Sequence, residues 1–171
     1  MKIFWSYARR DDQPPREKIT KLREAFKTIL SEVVGTECEI FFDKLSFRWG
    51  VEWRKEIDRL IVASDYFVAI VTPSYFNSRM CIFELQKACL EKKKILPIYF
   101  RNCKILESNF KEDGLEADIN KGLNRASQKI EELQMKDFRG LRTKKFDSDE
   151  VENFLDAMAE EIAEQHAPHR R

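Results

Sequence analysis

The chain has 171 residues, 43% of them hydrophobic and 36% charged, with 31 basic against 30 acidic side chains for a net charge of +1. Thirteen Phe, three Trp and four Tyr exclude a solvated, disordered chain, and the balanced charge gives no bulk electrostatic case for nucleic acid or an anionic membrane. A length of this order predicts one domain, large enough to fold without a metal or a disulfide.

Lys2 to Tyr7 is a short apolar and aromatic run, which predicts a strand buried on both faces. A polar stretch from Ala8 to Arg16 follows. From Glu17 to Val34 the apolar residues Ile19, Leu22, Phe26, Ile29, Leu30 and Val33 recur at helical spacing, with Gly35 placed to stop the helix. Cys38 to Phe42 reads as a second strand and Asp43 to Gly50 as a loop. A second helix is predicted over Val51 to Ala63, turning Trp53, Ile57, Leu60 and Ile61 inward. Tyr66 to Val71 is the clearest strand and ends at Thr72-Pro73.

A third helix is predicted from about Arg79 to Lys92, its end favoured by Lys92, Lys93 and Lys94. Ile95 to Phe100 reads as a fourth strand, with a bulge or a strand end expected at Pro97, which lacks a ladder donor. Residues 101–114 read as a loop, 115–133 as a helix with a mixed face, and Met135 to Phe138 as a short fifth strand. Ser148 is placed to cap a last helix, with Asp149 and Glu150 in its first turn and Val151, Phe154, Leu155, Met158 and Ile162 buried.

Strands alternating with helices imply a parallel sheet covered on both sides. The expected architecture is a flavodoxin-like three-layer α/β fold with a five-stranded parallel sheet, over residues 1–165, with 166–171 as a tail or the start of a linker. In such a sheet ligands bind beyond the C-terminal strand ends, here the loops after Ser6, Phe42, Val71 and Phe100.

Several chemistries are excluded. The chain contains neither a dinucleotide-type GxGxxG nor a P-loop, and its two histidines, His166 and His169, stand at the extreme C-terminus. A Ser/His/Asp or Cys/His arrangement lacks its base, and a metal centre lacks its ligands. Cys38, Cys81, Cys89 and Cys103 show no CxxC spacing, which fits free thiols in a reducing cytoplasm. Asp11-Asp12 suggests the acidic pair of a response regulator, but that reading needs an Asp at the end of the third strand, where Thr72-Pro73 stands.

The loop residues carry a resemblance. Ile3 to Asp11 resembles the "FISYxxxD" opening of Toll/interleukin-1 receptor (TIR) domains. Phe41-Phe42-Asp43, Gly50 and Trp53 are similar to the second strand and the following BB loop, and Ile57 and Ser64 continue that pattern. Phe67 to Tyr75, Asn77-Ser78 and Cys81 to Leu85 resemble the third strand and the start of the next helix. The three motifs fall in order over about residues 1–100; beyond them Asp137-Phe138-Arg139 is more loosely similar to bacterial members.

TIR domains are of two functional kinds. Adaptors act by self-association alone; others cleave NAD+ at the nicotinamide–ribose bond with a single glutamate near the start of the helix after the third strand. The motif places that glutamate at Glu84. On pattern alone Glu84 reads equally as a first-turn acid complementing the helix dipole. The resemblance also implies substrate contacts from Ser6, Tyr7, Arg9, Arg10, Asp43, Trp53 and Met80. An exposed arginine pair also fits a solvated face, Asp43 also fits a structural loop cap, and Trp53 also fits the core. Enzymatic members carry Trp where this chain has Met80, four residues before the glutamate on the same helix face.

Phe47, Arg48 and Trp49 give the BB loop the composition of an interface hot spot, and in the family this loop inserts against a neighbouring protomer; the alternative is a loop tucked onto its own domain. The resemblance thus implies a cytoplasmic NAD+ nucleosidase of bacterial antiphage type, with NAD+ as substrate and no separate cofactor. Its implied partners are copies of itself and a fused or separate sensor domain. The alternative is a non-catalytic interaction module.

Overall fold

The structure, a computed structural model, describes residues 1–42 and 52–166. Asp43, Phe47, Arg48 and Trp49 therefore lie outside the described residues. Five strands form one parallel sheet: β1 (Lys2–Ser6), β2 (Glu39–Phe42), β3 (Tyr66–Val71), β4 (Lys94–Tyr99) and β5 (Lys136–Asp137), in the order β2-β1-β3-β4-β5. The helices are α1 (Lys18–Val34), α2 (Trp53–Ala63), α3 (Pro73–Phe76), α4 (Arg79–Leu90), α5 (Ala117–Glu131) and α6 (Asp149–His166). No helix among the described residues is long and apolar enough to cross a membrane.

The period of two along β1 divides its side chains between two cores. Ile3 and Trp5 pack with Leu22, Phe26 and Leu30 of α1 and Leu155 and Ile162 of α6 on one face. Phe4 joins Ile57 and Ile61 of α2, Leu85 of α4 and Ile130 of α5 on the other. Strand β3, central in the sheet, is buried at all six positions, which is why its sequence is an unbroken apolar run. Its neighbour alignment runs Ser6 opposite Ala69 and Tyr99 opposite Val71, so β1, β3 and β4 end together on one edge.

The expectation of a bulge or an end at Pro97 is corrected. Pro97 sits inside β4, opposite Ala69 in unbroken register. The Tyr99 carbonyl accepts from the Phe138 N–H at 3.0 Å, so it faces β5, whereas the Phe100 N–H donates to Val71 in β3 at 3.1 Å. Alternation turns the Pro97 nitrogen toward the β5 side as well. Pairing with β5 begins only at Ile98, so the missing donor deprives no partner.

Helix ends depart from the sequence expectations in two further places. Ser148 opens α6 through its carbonyl, which accepts from the N–H groups of Val151 and Glu152 at 3.0 Å, while its hydroxyl takes none of them. Lys92 ends α4 in a left-handed conformation (φ 52°) and the Lys93 N–H closes that helix on the Ala88 carbonyl at 2.9 Å, but the Lys93 side chain turns elsewhere. Its ammonium reaches the C-terminal end of α2, donating to the carbonyls of Val62 and Ser64 at 2.7 Å each. All four cysteines are free, and burial raises the Cys89 and Cys103 thiols above the ordinary value.

Candidate active site

Strand order reverses between β1 and β3, and the crevice outside a sheet at that point is where α/β folds place ligands. Here it holds a cleft of about 500 Å³, within the range of small-molecule sites. Tyr7, Ala8, Arg9 and Arg10, after β1, line one side; Trp53 of α2 and Ser74, Asn77, Ser78, Met80 and Cys81, after β3, line the rest.

Two side-chain caps shape the β3 side. The Thr72 hydroxyl accepts from the Tyr75 N–H at 3.0 Å, and Pro73 occupies the first turn of α3, where its missing N–H costs nothing. That hydroxyl also donates to Asp11 Oδ2 at 2.5 Å, tying the turn after β1 to the end of β3. The Ser78 hydroxyl accepts from the Cys81 N–H at 3.3 Å and starts α4. Sequence reading missed α3, whose four residues are too few to show a period.

Behind this lining is a buried polar trio. Ser6, the last residue of β1, points to the same face as Phe4 and is 1% exposed. Its hydroxyl donates to Glu84 Oε2 at 2.5 Å and lies 3.1 Å from the Tyr75 hydroxyl. A serine has one proton, so Tyr75 donates to Ser6 and Ser6 donates to Glu84. Burial drives the Tyr75 phenol well above its ordinary value, so it stays a donor.

Glu84 is the sixth residue of α4 and 1% exposed; no acid stands in the first turn. It is thus not the solvated dipole partner that pattern alone allows. Met80, four residues before it, faces the cleft. Trp53 is half-buried and meets Phe83 edge-on at 6.4 Å, so it is both core and cleft wall.

The expected site residues therefore divide into two layers. Tyr7, Arg9, Arg10, Trp53 and Met80 meet around one cleft, with both arginines exposed. Ser6 and Glu84 stand beneath it, joined to each other. Burial, then the charge of Asp12, raises the Tyr7 phenol. The missed partner is Tyr75, whose position in the Thr72 to Tyr75 motif was visible while its contact with Ser6, across 69 positions, was not.

No curated protein matches the chain. In fold it is similar to the TIR domains in the structure of the activated Roq1 resistosome directly recognizing the pathogen effector XopQ, with a TM-score of 0.63 and 16% identity over 94% of this chain and 98% of that one. Residues 3–134 match the family model described as TIR domain, including every element of the cleft. The chain belongs to the TIR domain family.

Proposed function

We propose that this TIR domain cleaves NAD+ at the nicotinamide–ribose bond, with Glu84 as the catalytic carboxylate, and that ordered self-association turns the activity on. The observation that supports this most is the Ser6–Glu84 pair beneath the cleft at the strand-order switch point. Nicotinamide in NAD+ is cationic, so it departs neutral and needs no general acid. Glycoside hydrolysis ordinarily uses two carboxylates because its leaving group must be protonated. Here one suffices, to hold the ribose hydroxyls and stabilise positive charge developing on the sugar. The Ser6 hydroxyl orients that carboxylate, Arg9 or Arg10 pairs with the pyrophosphate, and Met80 packs on a ring. Water or the adenine ring attacks the same ribose carbon, giving ADP-ribose or its cyclic isomers. Loss of NAD+ or production of such a signal would serve bacterial defence against phage.

One observation favours a second reading, an interaction module without turnover. Glu84 is 1% exposed and stands behind the cleft wall rather than in it. Under the first reading, assembly must bring the carboxylate to the substrate, so the separate domain is nearly silent. The test is nicotinamide release from NAD+ by concentrated and assembled protein, with Glu84→Gln alongside. Release lost in the variant supports the enzyme; no release in any assembled form supports the module.

A further inference from the structure

A second cavity, of about 200 Å³, opens at the same edge of the sheet as the cleft but against Phe100, which belongs to the core beneath α1 and α6. Its charged lining is Arg16, Lys18, Arg101 and Arg142 against one carboxylate, Asp11. The cluster is therefore net +3 in a chain whose total is +1. Asp11 already accepts from Thr72, and none of the four cations has a carboxylate within ion-pair distance among the described residues.

The backbone holds these cations in place. The Arg101 N–H donates to Val71 at 3.2 Å, and the Arg142 N–H donates to Phe138 at 3.0 Å. The Lys18 ammonium donates to the Arg142 carbonyl at 2.5 Å, bridging the start of α1 to the turn after β5. Lys18 and Arg142 are half-buried at the back, while Arg16 and Arg101 are exposed at the mouth. Desolvation, then the charges of Arg101 and Arg16, push the Arg142 guanidinium below its ordinary value. Four like charges converge here with a single carboxylate, Asp11, to offset them.

We infer that this cavity is an anion site that takes the phosphate or diphosphate group of a small molecule. Guanidinium forks match phosphoryl oxygens in geometry as well as charge. The volume is below the roughly 300–1,000 Å³ of sites that enclose a whole drug-sized ligand, so it fits the charged group and leaves any attached nucleoside outside. The assignment does not rest on NAD+ cleavage, and its failure would leave that reading untouched.

The experiment is a nitrogen-15 NMR titration of the full chain, at constant ionic strength, with pyrophosphate in one arm and ADP in the other. Saturable shifts are expected at Arg101 and Arg142, with Arg142→Gln weakening binding by at least about tenfold and Arg125→Gln, an exposed cation that lines neither cavity, leaving those shifts unchanged. Tighter pyrophosphate would identify the free anion as ligand, and tighter ADP a nucleotide-borne one. The ligand-free melting temperature of Arg142→Gln should equal or exceed that of the unaltered chain, because the substitution relieves repulsion. No saturation with either ligand up to about 10 mM, binding that survives Arg142→Gln, shifts confined to Arg9 and Arg10, or a lowered melting temperature would each overturn the assignment.

Discussion

The Ser6 hydroxyl donates to Glu84 Oε2 at 2.5 Å, joining the last residue of β1 to the second turn of α4 across 78 positions of sequence. Both residues are 1% exposed, so the bond holds a carboxylate in a place water scarcely reaches. An acid buried this way costs stability unless its oxygens are met by donors. Such an expense, kept at the ligand edge of the sheet, is what links this fold to the proposed chemistry.

Ser6→Ala removes that donor and also the acceptor of the Tyr75 hydroxyl. A hydrogen bond to a charged group contributes about 1.5–3 kcal/mol. At this chain length the melting temperature should fall by roughly 3–12 °C. Calorimetry measures it, and an unchanged melting temperature would show that the pair contributes nothing to the fold.

Thr72→Val keeps the β-branched shape but removes the hydroxyl that caps α3 and ties it to Asp11. Thr72 is fully buried, so half-buried Asp11 loses its Thr72 donor and the Tyr75 N–H keeps only the Thr72 carbonyl, at 3.2 Å. The expected loss is about 1–3 kcal/mol in urea unfolding, with an unchanged slope. Thr72→Ser, which retains the hydroxyl, should lose less than half as much.

Met80→Trp tests the one place where the cleft departs from the enzymatic pattern. Met80 lines the cleft one turn from Glu84, so an indole there would meet a substrate ring. Aromatic stacking contributes about 0.5–1.5 kcal/mol, a gain of roughly two- to tenfold in kcat/KM for NAD+. A steady-state comparison with unaltered protein decides it; an unchanged kcat/KM would place the nicotinamide ring elsewhere.

Much of the fold was legible because its signals are local. β3 is a six-residue apolar run, and α1 carries a long periodic face that ends at Gly35 in a left-handed conformation (φ 73°). What was not legible depends on neighbours distant in sequence. Pro97 is harmless only because β5 is short and starts beside Ile98. The Lys93 ammonium caps α2 while its N–H closes its own helix, because the turn after α4 brings the side chain back over Val62 and Ser64. In the candidate site, the residues around the cleft could be named from motifs, but the burial of Glu84 behind them could not. That depth follows from Ser78 capping α4 two residues before Met80, which places Glu84 a full turn below the cleft wall. The cationic cavity was invisible because Arg16, Lys18, Arg101 and Arg142 come from three separate stretches of chain.

One surface pair gives a pH prediction with a definite sign. Hydrogen bonds from the Arg139 side chain are the chief cause holding Asp137 at about 2, below its ordinary 3.8. A depressed carboxylate pKa contributes stability that is complete above the ordinary value and is lost as pH falls toward 2. The pair is largely exposed, so salt should weaken the effect and its part in overall stability is small. Carbon-13 NMR of the Asp137 carboxyl should titrate near 2 and move back toward 3.8 in Arg139→Gln. An unmoved midpoint would assign the shift to something other than Arg139.

The most direct test of the central claim is nicotinamide release from NAD+, followed by chromatography, with unaltered protein and Glu84→Gln both in assembled form. Glutamine preserves an acceptor for the Ser6 hydroxyl but removes the charge, so matched melting curves would show that both proteins are folded. The account predicts release that rises with assembly and falls by about 10²-fold or more in the variant. Equal release by the two proteins, or none from the assembled unaltered chain, would contradict it.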